Sequence, residues 1–274
     1  MGRGHVEILN EDELEYAPML APGWPSGAEL KVLSQDRDTG AFTGLLRLAP
    51  GFRRPLGHHP TQTELFVVDG AVRIGEGVRE WGAYEFSPAD TTQQPWVSEA
   101  GCTMLYLTRG EPAFSTRSGA RGAEGCISLD TERMPWTISK VPGPPPGMLS
   151  KTLRHSDETG ERTFVCASVP RYSLPELEFH DCVEESYCIE GSVRIGTSGL
   201  MRAGSYFWRP PYVTHGPFYS REGMVSFFTV DGPLVNHYVD DPAATVEENR
   251  AAAAAEGPPT DFFHGHRAEV ASGS

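Results

Sequence analysis

The chain has 274 residues, 39% of them hydrophobic, enough for one large β domain or two small ones around a buried core. Its net charge is −14 with no run of Lys and Arg, which excludes nucleic-acid binding through clustered phosphate contacts. No apolar stretch of signal-peptide or membrane-spanning length appears, and five cysteines, odd in number and irregularly spaced, read as reduced thiols of a cytoplasmic protein. The expected partner is therefore a small molecule, not a nucleic acid or a membrane.

In chain order, residues 1–25 read as a leading arm carrying an added edge strand. Residues 26–126 hold short runs rich in Val, Phe, Tyr and Thr, such as 42–48, 64–68 and 103–107, with Gly or Pro between them. That is a strand-and-turn pattern, and many short strands suggest a sandwich or barrel. Residues 127–148, with Trp136 and a Pro-Gly-Pro-Pro-Pro-Gly run, read as a surface linker. Residues 149–240 repeat the strand pattern, as at 164–169, 185–189 and 224–230. The last segment, 241–274, opens with an N-cap at Asp241, Pro242 and an Ala-rich run before Gly257, which predicts a short helix. The tail motif Phe262-Phe263-His264-Gly265-His266 reads as a docked or loose end.

The two halves repeat one another. Lys31-Val-Leu33 returns as Lys151-Thr-Leu153, 120 residues later, and Gly70-Ala-Val-Arg-Ile-Gly75 returns as Gly191-Ser-Val-Arg-Ile-Gly196. Gly82, Pro88, Pro95 and Gly101 return as Gly204, Pro210, Pro217 and Gly223, each 122 residues on. Shared fold and shared ancestry follow for the halves.

The second half carries the chemistry. Glu178 and His180 are two apart, so on a strand both side chains leave one face. Glu184 follows after a short polar break, and His215 comes from a distant strand entered through Pro210-Pro211. Two imidazoles with one or two carboxylates converging from separate strands make a site for a divalent transition metal. The spacing H-x(3)-E-x(6)-G over His180, Glu184 and Gly191, then G-x(5)-P-x(4)-H over Gly204, Pro210 and His215, resembles the paired motifs of the cupin superfamily. The resemblance implies an all-β chain of two tandem jelly-roll barrels with a short C-terminal helix. It also implies His180, Glu184 and His215 as metal ligands. Where the family usually has a further His, this chain has Glu178, a chemically competent replacement; turned outward, it would leave a two-His, one-carboxylate set suited to Fe(II) oxygen chemistry.

Carried to the first half, Glu178 maps to Gly57, His180 to His59, Glu184 to Thr63 and His215 to Gln93, so no metal is expected there. His58 beside His59 should point to the opposite face. For the second half we expect one divalent ion per chain, Fe(II) first, with Mn(II), Ni(II) or Zn(II) as alternatives. The implied activity is a dioxygenase acting on a small diketone, hydroxyketone or enolisable aromatic compound. A non-redox isomerase, cyclase or C–C lyase and a non-enzymatic binding module are the alternatives. Trp208, Tyr212 and Phe218 are candidates for the pocket wall, although as barrel residues they serve equally as core. Tyr206 and Tyr187 are candidates for proton transfer, and Arg171 and Arg209 for pairing a substrate carboxylate. Cupin-like chains often dimerise through sheet edges, and the acidic surface does not forbid a homodimer.

Overall fold

The computed structural model describes residues 2–139 and 147–239, with Ala251 and Ala255. The chain divides into two compact units. The first comprises residues 1–4 and 12–135; the second comprises residues 5–11 and 136–274. Both are built from antiparallel strands, and among the described residues no helix is long and apolar enough to cross a membrane. The expected C-terminal helix and the tail motif lie outside the described residues, apart from Ala251 and Ala255.

In the first unit a seven-stranded sheet runs Ile127–Asp130, Ala83–Ser87, Thr63–Gly70, Cys102–Thr108, Phe42–Leu48, Ala28–Gln35, Ala17–Pro18. A second sheet of four strands runs Phe52–Arg54, Trp96–Ser98, Val72–Ile74, Gly77–Arg79. Their inner side chains, among them Leu46, Leu65, Val67, Val72, Trp96 and Met104, form one apolar core. This is the double-sheet layout of a jelly roll. Part of the segment 127–148 serves the sheets: Ile127–Asp130 pairs with Ala83–Ser87, and Thr137–Ile138 pairs with Met148–His155 in the second unit.

The second unit is organised by the twelve-residue strand Glu184–Ile195. Its first part pairs with Ser205–Arg209 and Met224–Val230, and its second part with Gly199–Arg202 and Phe218–Ser220. A register shift between Cys188 and Glu190, followed by Gly191 at φ +71°, marks where the strand passes from one set of partners to the other. Bulges increase local twist and bend a strand, and only glycine enters the left-handed region without strain. Val6–Asn10 adds to the outer side of Ser205–Arg209, with Val6 opposite Trp208 and Leu9 opposite Tyr206. The leading arm thus supplies an edge strand, and that strand belongs to the second unit.

Candidate metal centre

Glu178 lies in the strand Leu177–Phe179, and its backbone exchanges two hydrogen bonds of 2.9 Å with that of His215. His180 follows on the same chain, and Glu184 opens the long strand. The four side chains converge. His215 Nε2 stands 3.7 Å from Glu178 Oε1 and 3.6 Å from Glu184 Oε2, and His180 Nε2 stands 3.7 Å from Glu184 Oε1. All four residues are 8% exposed or less. Glu178 therefore turns inward, and its carboxylate lies with both imidazoles inside a 4.8 Å cluster.

Both rings are fixed by backbone. His180 Nδ1 lies 3.0 Å from the Val235 carbonyl and His215 Nδ1 lies 2.9 Å from the Val213 carbonyl. A carbonyl only accepts, so each Nδ1 carries the proton and each Nε2 presents its lone pair to the cluster. Neither Nε2 makes a hydrogen bond, although both are buried. Buried polar atoms are ordinarily satisfied, so two adjacent lone pairs facing two carboxylates call for a cation. Ligands about 2.1 Å from a shared ion sit roughly 3.0–3.4 Å apart, so the cluster needs to contract by only a few tenths of an ångström. The donor set fits a divalent transition metal.

Charge agrees with geometry. Burial, then the charge of Arg209, lowers His215 to a pKa of about 4, so the ring is neutral and ready to ligate at pH 7. Burial, reinforced by the neighbouring Glu184 carboxylate, raises Glu178 to about 8. Burial also works to raise Glu184, but the histidines and Arg209 outweigh it and hold its pKa below the ordinary value. Asn236 donates from Nδ2 to Glu178 Oε2 at 2.9 Å and so orients that carboxylate. Arg209 donates from Nη1 to Glu184 Oε2 at 3.1 Å.

Beside the cluster lies a cavity of about 100 Å³, walled mainly by apolar side chains including Phe164, Met201, Phe207, Phe218, Met224 and Phe228. The Ser168 hydroxyl, on this wall, is buried without a hydrogen bond. Tyr172 also lines it; burial, then the charge of Glu178, raises its pKa, so it remains a phenol. Neither Tyr172 nor Asn236 stood out in the sequence. Tyr172 lies on a three-residue strand whose alternation is too short to read, and Asn236 sits in a loop.

Of the residues expected near the substrate, Phe218 and Arg209 reach the cavity, Phe218 edge-on to His215 at 5.7 Å. Tyr206 and Trp208 do not line it. Alternation along Ser205–Arg209 gives Phe207 and Arg209 to the cavity and sends Tyr206 and Trp208 to the opposite face. Tyr187, directly across from Tyr206 in the ladder, shares that opposite face. The Tyr206 hydroxyl donates to Glu185, and in the first unit the Tyr84 hydroxyl donates to Glu64 in the same repeat positions. A pair present in both halves is part of how the barrel is built. Tyr212 is 66% exposed, and Arg171 sits exposed at a turn with φ +65°; neither lines the cavity.

The first unit preserves the frame of the site and changes its contents. Gly57 bridges Gln93 as Glu178 bridges His215. His59 Nδ1 faces the Ala113 carbonyl at 2.8 Å, the repeat partner of Val235. Here, however, His59 Nε2 lies 3.0 Å from Arg54 Nη1 and accepts a hydrogen bond from it, while Arg54 Nη2 donates to Gln93 Oε1 at 2.8 Å. Gln93 in turn donates to Thr63 Oγ1 at 3.3 Å. The guanidinium is 1% exposed and lies 3.6 Å above the Trp96 ring. Burial lowers Arg54 to about 9 and, with the Arg54 charge, His59 to about 3. Arg54 thus brings its own positive charge to the ligand cluster; its counterpart opposite Phe218 in the second unit is Leu174. His58 lies on the other face, half-buried against the Arg117 carbonyl.

Three comparisons place this architecture. Residues 7–237 match the profile of the family described as Domain of unknown function (DUF4437). No curated protein sequence matches the chain. Among solved structures, a Nostoc punctiforme protein described provisionally as a dioxygenase superposes with a TM-score of 0.79 at 20% identity, over 88% of this chain and 92% of the other. An oxalate decarboxylase of Bacillus subtilis with Mn(II) centres gives 0.55 at 12% identity, covering 87% and 81%. A salicylate 1,2-dioxygenase of Pseudaminobacter salicylatoxidans gives 0.53 at 12% identity, covering 72% and 74%. At these identities the likeness fixes the fold, an all-β cupin jelly roll, and not the reaction.

Proposed function

The chain belongs to the DUF4437 family, and from its buried histidine–carboxylate cluster we propose that it is a bicupin enzyme, a non-haem Fe(II) dioxygenase acting on a small diketone, hydroxyketone or enolisable aromatic compound. Glu178, His180, Glu184 and His215 would hold one divalent ion, and the first unit none. When bound, such an ion supplies an electrophile for an enolate oxygen and, as Fe(II), a redox partner for dioxygen. The observation that carries this reading is the pair of partnerless Nε2 lone pairs turned on two buried carboxylates.

The chain's own residues supply the rest. Two carboxylates balance a divalent charge and stabilise a higher oxidation state, which favours oxygen chemistry over purely Lewis-acid chemistry. The aromatic and methionine wall takes an apolar body and excludes water from it. Tyr172, kept protonated, and Ser168 donate hydrogen bonds to a substrate oxygen. Arg209 already serves Glu184 and Glu7, so it is not free for a substrate carboxylate, and the cavity suits a neutral or singly charged compound. The likeness to dioxygenase structures supports this reading, and the Mn(II) centres of the decarboxylase support a metal in such a barrel.

Oxygen uptake by the Fe(II)-loaded protein with a panel of β-diketones and hydroxyketones tests it. Consumption of one dioxygen per substrate is expected. Turnover without oxygen, with Zn(II), Ni(II) or Mn(II) serving equally, would assign the protein to the isomerases, cyclases or lyases. Ligand binding that survives metal removal would make it a binding module.

A further inference from the structure

Among the described residues of the second unit Arg209 is the most buried charged side chain, 2% exposed, and it stands directly behind a metal-ligand candidate. A fixed positive charge there opposes the binding of a divalent cation. The first unit shows this opposition carried through, since Arg54 meets His59 and Gln93 with no carboxylate among its hydrogen-bond partners. Arg209 differs. Its Nε donates to Glu7 Oε2 at 2.9 Å and its Nη2 to Glu7 Oε1 at 2.6 Å, a two-pronged clamp on one carboxylate. Its third nitrogen, Nη1, holds Glu184 Oε2, and its plane stacks 3.7 Å from the Phe207 ring. Glu7 comes from the strand Val6–Asn10, which is laid along Ser205–Arg209 by the ladder.

We propose that Glu7 is a positioning residue of the metal centre: it cancels the Arg209 charge, so that the guanidinium can anchor Glu184 without repelling the ion that Glu184 binds. The inference rests on the metal reading of the cluster. Once an ion displaces the Glu178 proton, Glu178 and Glu184 contribute two negative charges around that cluster, and the Glu7–Arg209 pair contributes none. With Glu7 neutralised, the sum falls by one negative charge and the guanidinium turns its full field on the site. The strand 202 residues away in sequence therefore completes the ligand set's electrostatics, and a chain lacking it would hold the same four ligands less well.

The test is Mn(II) affinity, measured by titration followed by electron paramagnetic resonance of the bound ion, on the full-length wild type, E7Q and E7Q/R209M. E7Q is expected to weaken Mn(II) binding by about tenfold or more, because a charge in a buried site is poorly screened. E7Q/R209M removes both charges together and is expected to return to within about threefold of wild type. Wild-type affinity in E7Q, or a double variant as weak as E7Q, would overturn the proposal; the latter outcome would mean that Arg209 acts only by bracing Glu184. If E7Q does not fold, the double variant decides alone, since it removes the Glu7 and Arg209 charges together and the proposal requires it to bind. Failure of wild type to bind Mn(II) at His180 and His215 would instead sink the metal reading itself.

Discussion

The two halves hold their imidazoles alike and offer them opposite neighbours. His59 and His180 both give Nδ1–H to equivalent backbone carbonyls, Ala113 and Val235, so both Nε2 atoms project inward. In the second unit that lone pair meets Glu184, and His215 and Glu178 complete the ring. In the first it meets a guanidinium that also satisfies Gln93. What the barrel fixes is the direction of the histidine. What the remaining side chains decide is whether that lone pair faces carboxylates or a cation that the chain itself supplies. In the first unit the guanidinium meets that buried demand, whereas in the second the Nε2 lone pairs are left for the ion we propose.

The comparison breaks most sharply if the second site is rebuilt toward the first. H215Q installs the residue that the first unit has at that place and is expected to weaken divalent-ion binding by about a hundredfold or more, beyond the cost of losing an outer-shell partner. Metal analysis after dialysis reads this directly, and retention of a full equivalent would refute the assignment of His215. The converse change sharpens the comparison. Q93H alone should bind no ion, because Arg54 stays in place, whereas R54L/T63E/Q93H should raise the stoichiometry from one ion per chain to two. Gly57 is left alone, since a Cβ there would stand 2.1 Å from the Ser115 carbonyl oxygen. A triple variant that folds and still binds one ion would show that the frame of the first unit is not equivalent to that of the second.

Smaller effects test the surroundings of the site. N236L frees Glu178 Oε2 and is expected to cost about tenfold in affinity, with the fold intact by circular dichroism. Y172F should lower turnover while leaving Mn(II) affinity unchanged, which separates a substrate contact from a ligand. The pH dependence is milder and has a definite sign. Glu178 titrates near 8 in the ion-free protein against an ordinary 4.5, so the native state holds a proton that the unfolded chain has released. Its stabilising contribution is full below 4.5 and is lost as pH rises toward 8. His215 and His59, neutral in the native state, work the other way up to about 6.5, so the ion-free melting temperature should fall between pH 6.5 and 8. A metal must displace the same proton, so affinity should rise with pH up to about 8 by at most about tenfold per unit. An ion-free melting temperature that climbs from pH 6.5 to 8 would place the Glu178 proton elsewhere.

The sequence alone determined the all-β class, the internal repeat and the grouping of His180, Glu184 and His215, while the inward turn of Glu178 came from the fold. Strand alternation and turn residues are local properties, and a repeated pattern multiplies a weak local signal. It also located the half without ligands, because Gly57, Thr63 and Gln93 cannot replace carboxylate and imidazole. Tertiary structure decided everything that depends on which face of a strand meets the cavity. Tyr206 and Trp208 were turned away from the cavity and Phe207 and Arg209 toward it by a register that one residue's shift would reverse. It alone brought Arg54 to His59 and Glu7 to Arg209, since a hydrogen bond between residues 202 apart leaves no trace in spacing. Local periodicity encodes where a strand runs; only packing sets which charge stands behind it.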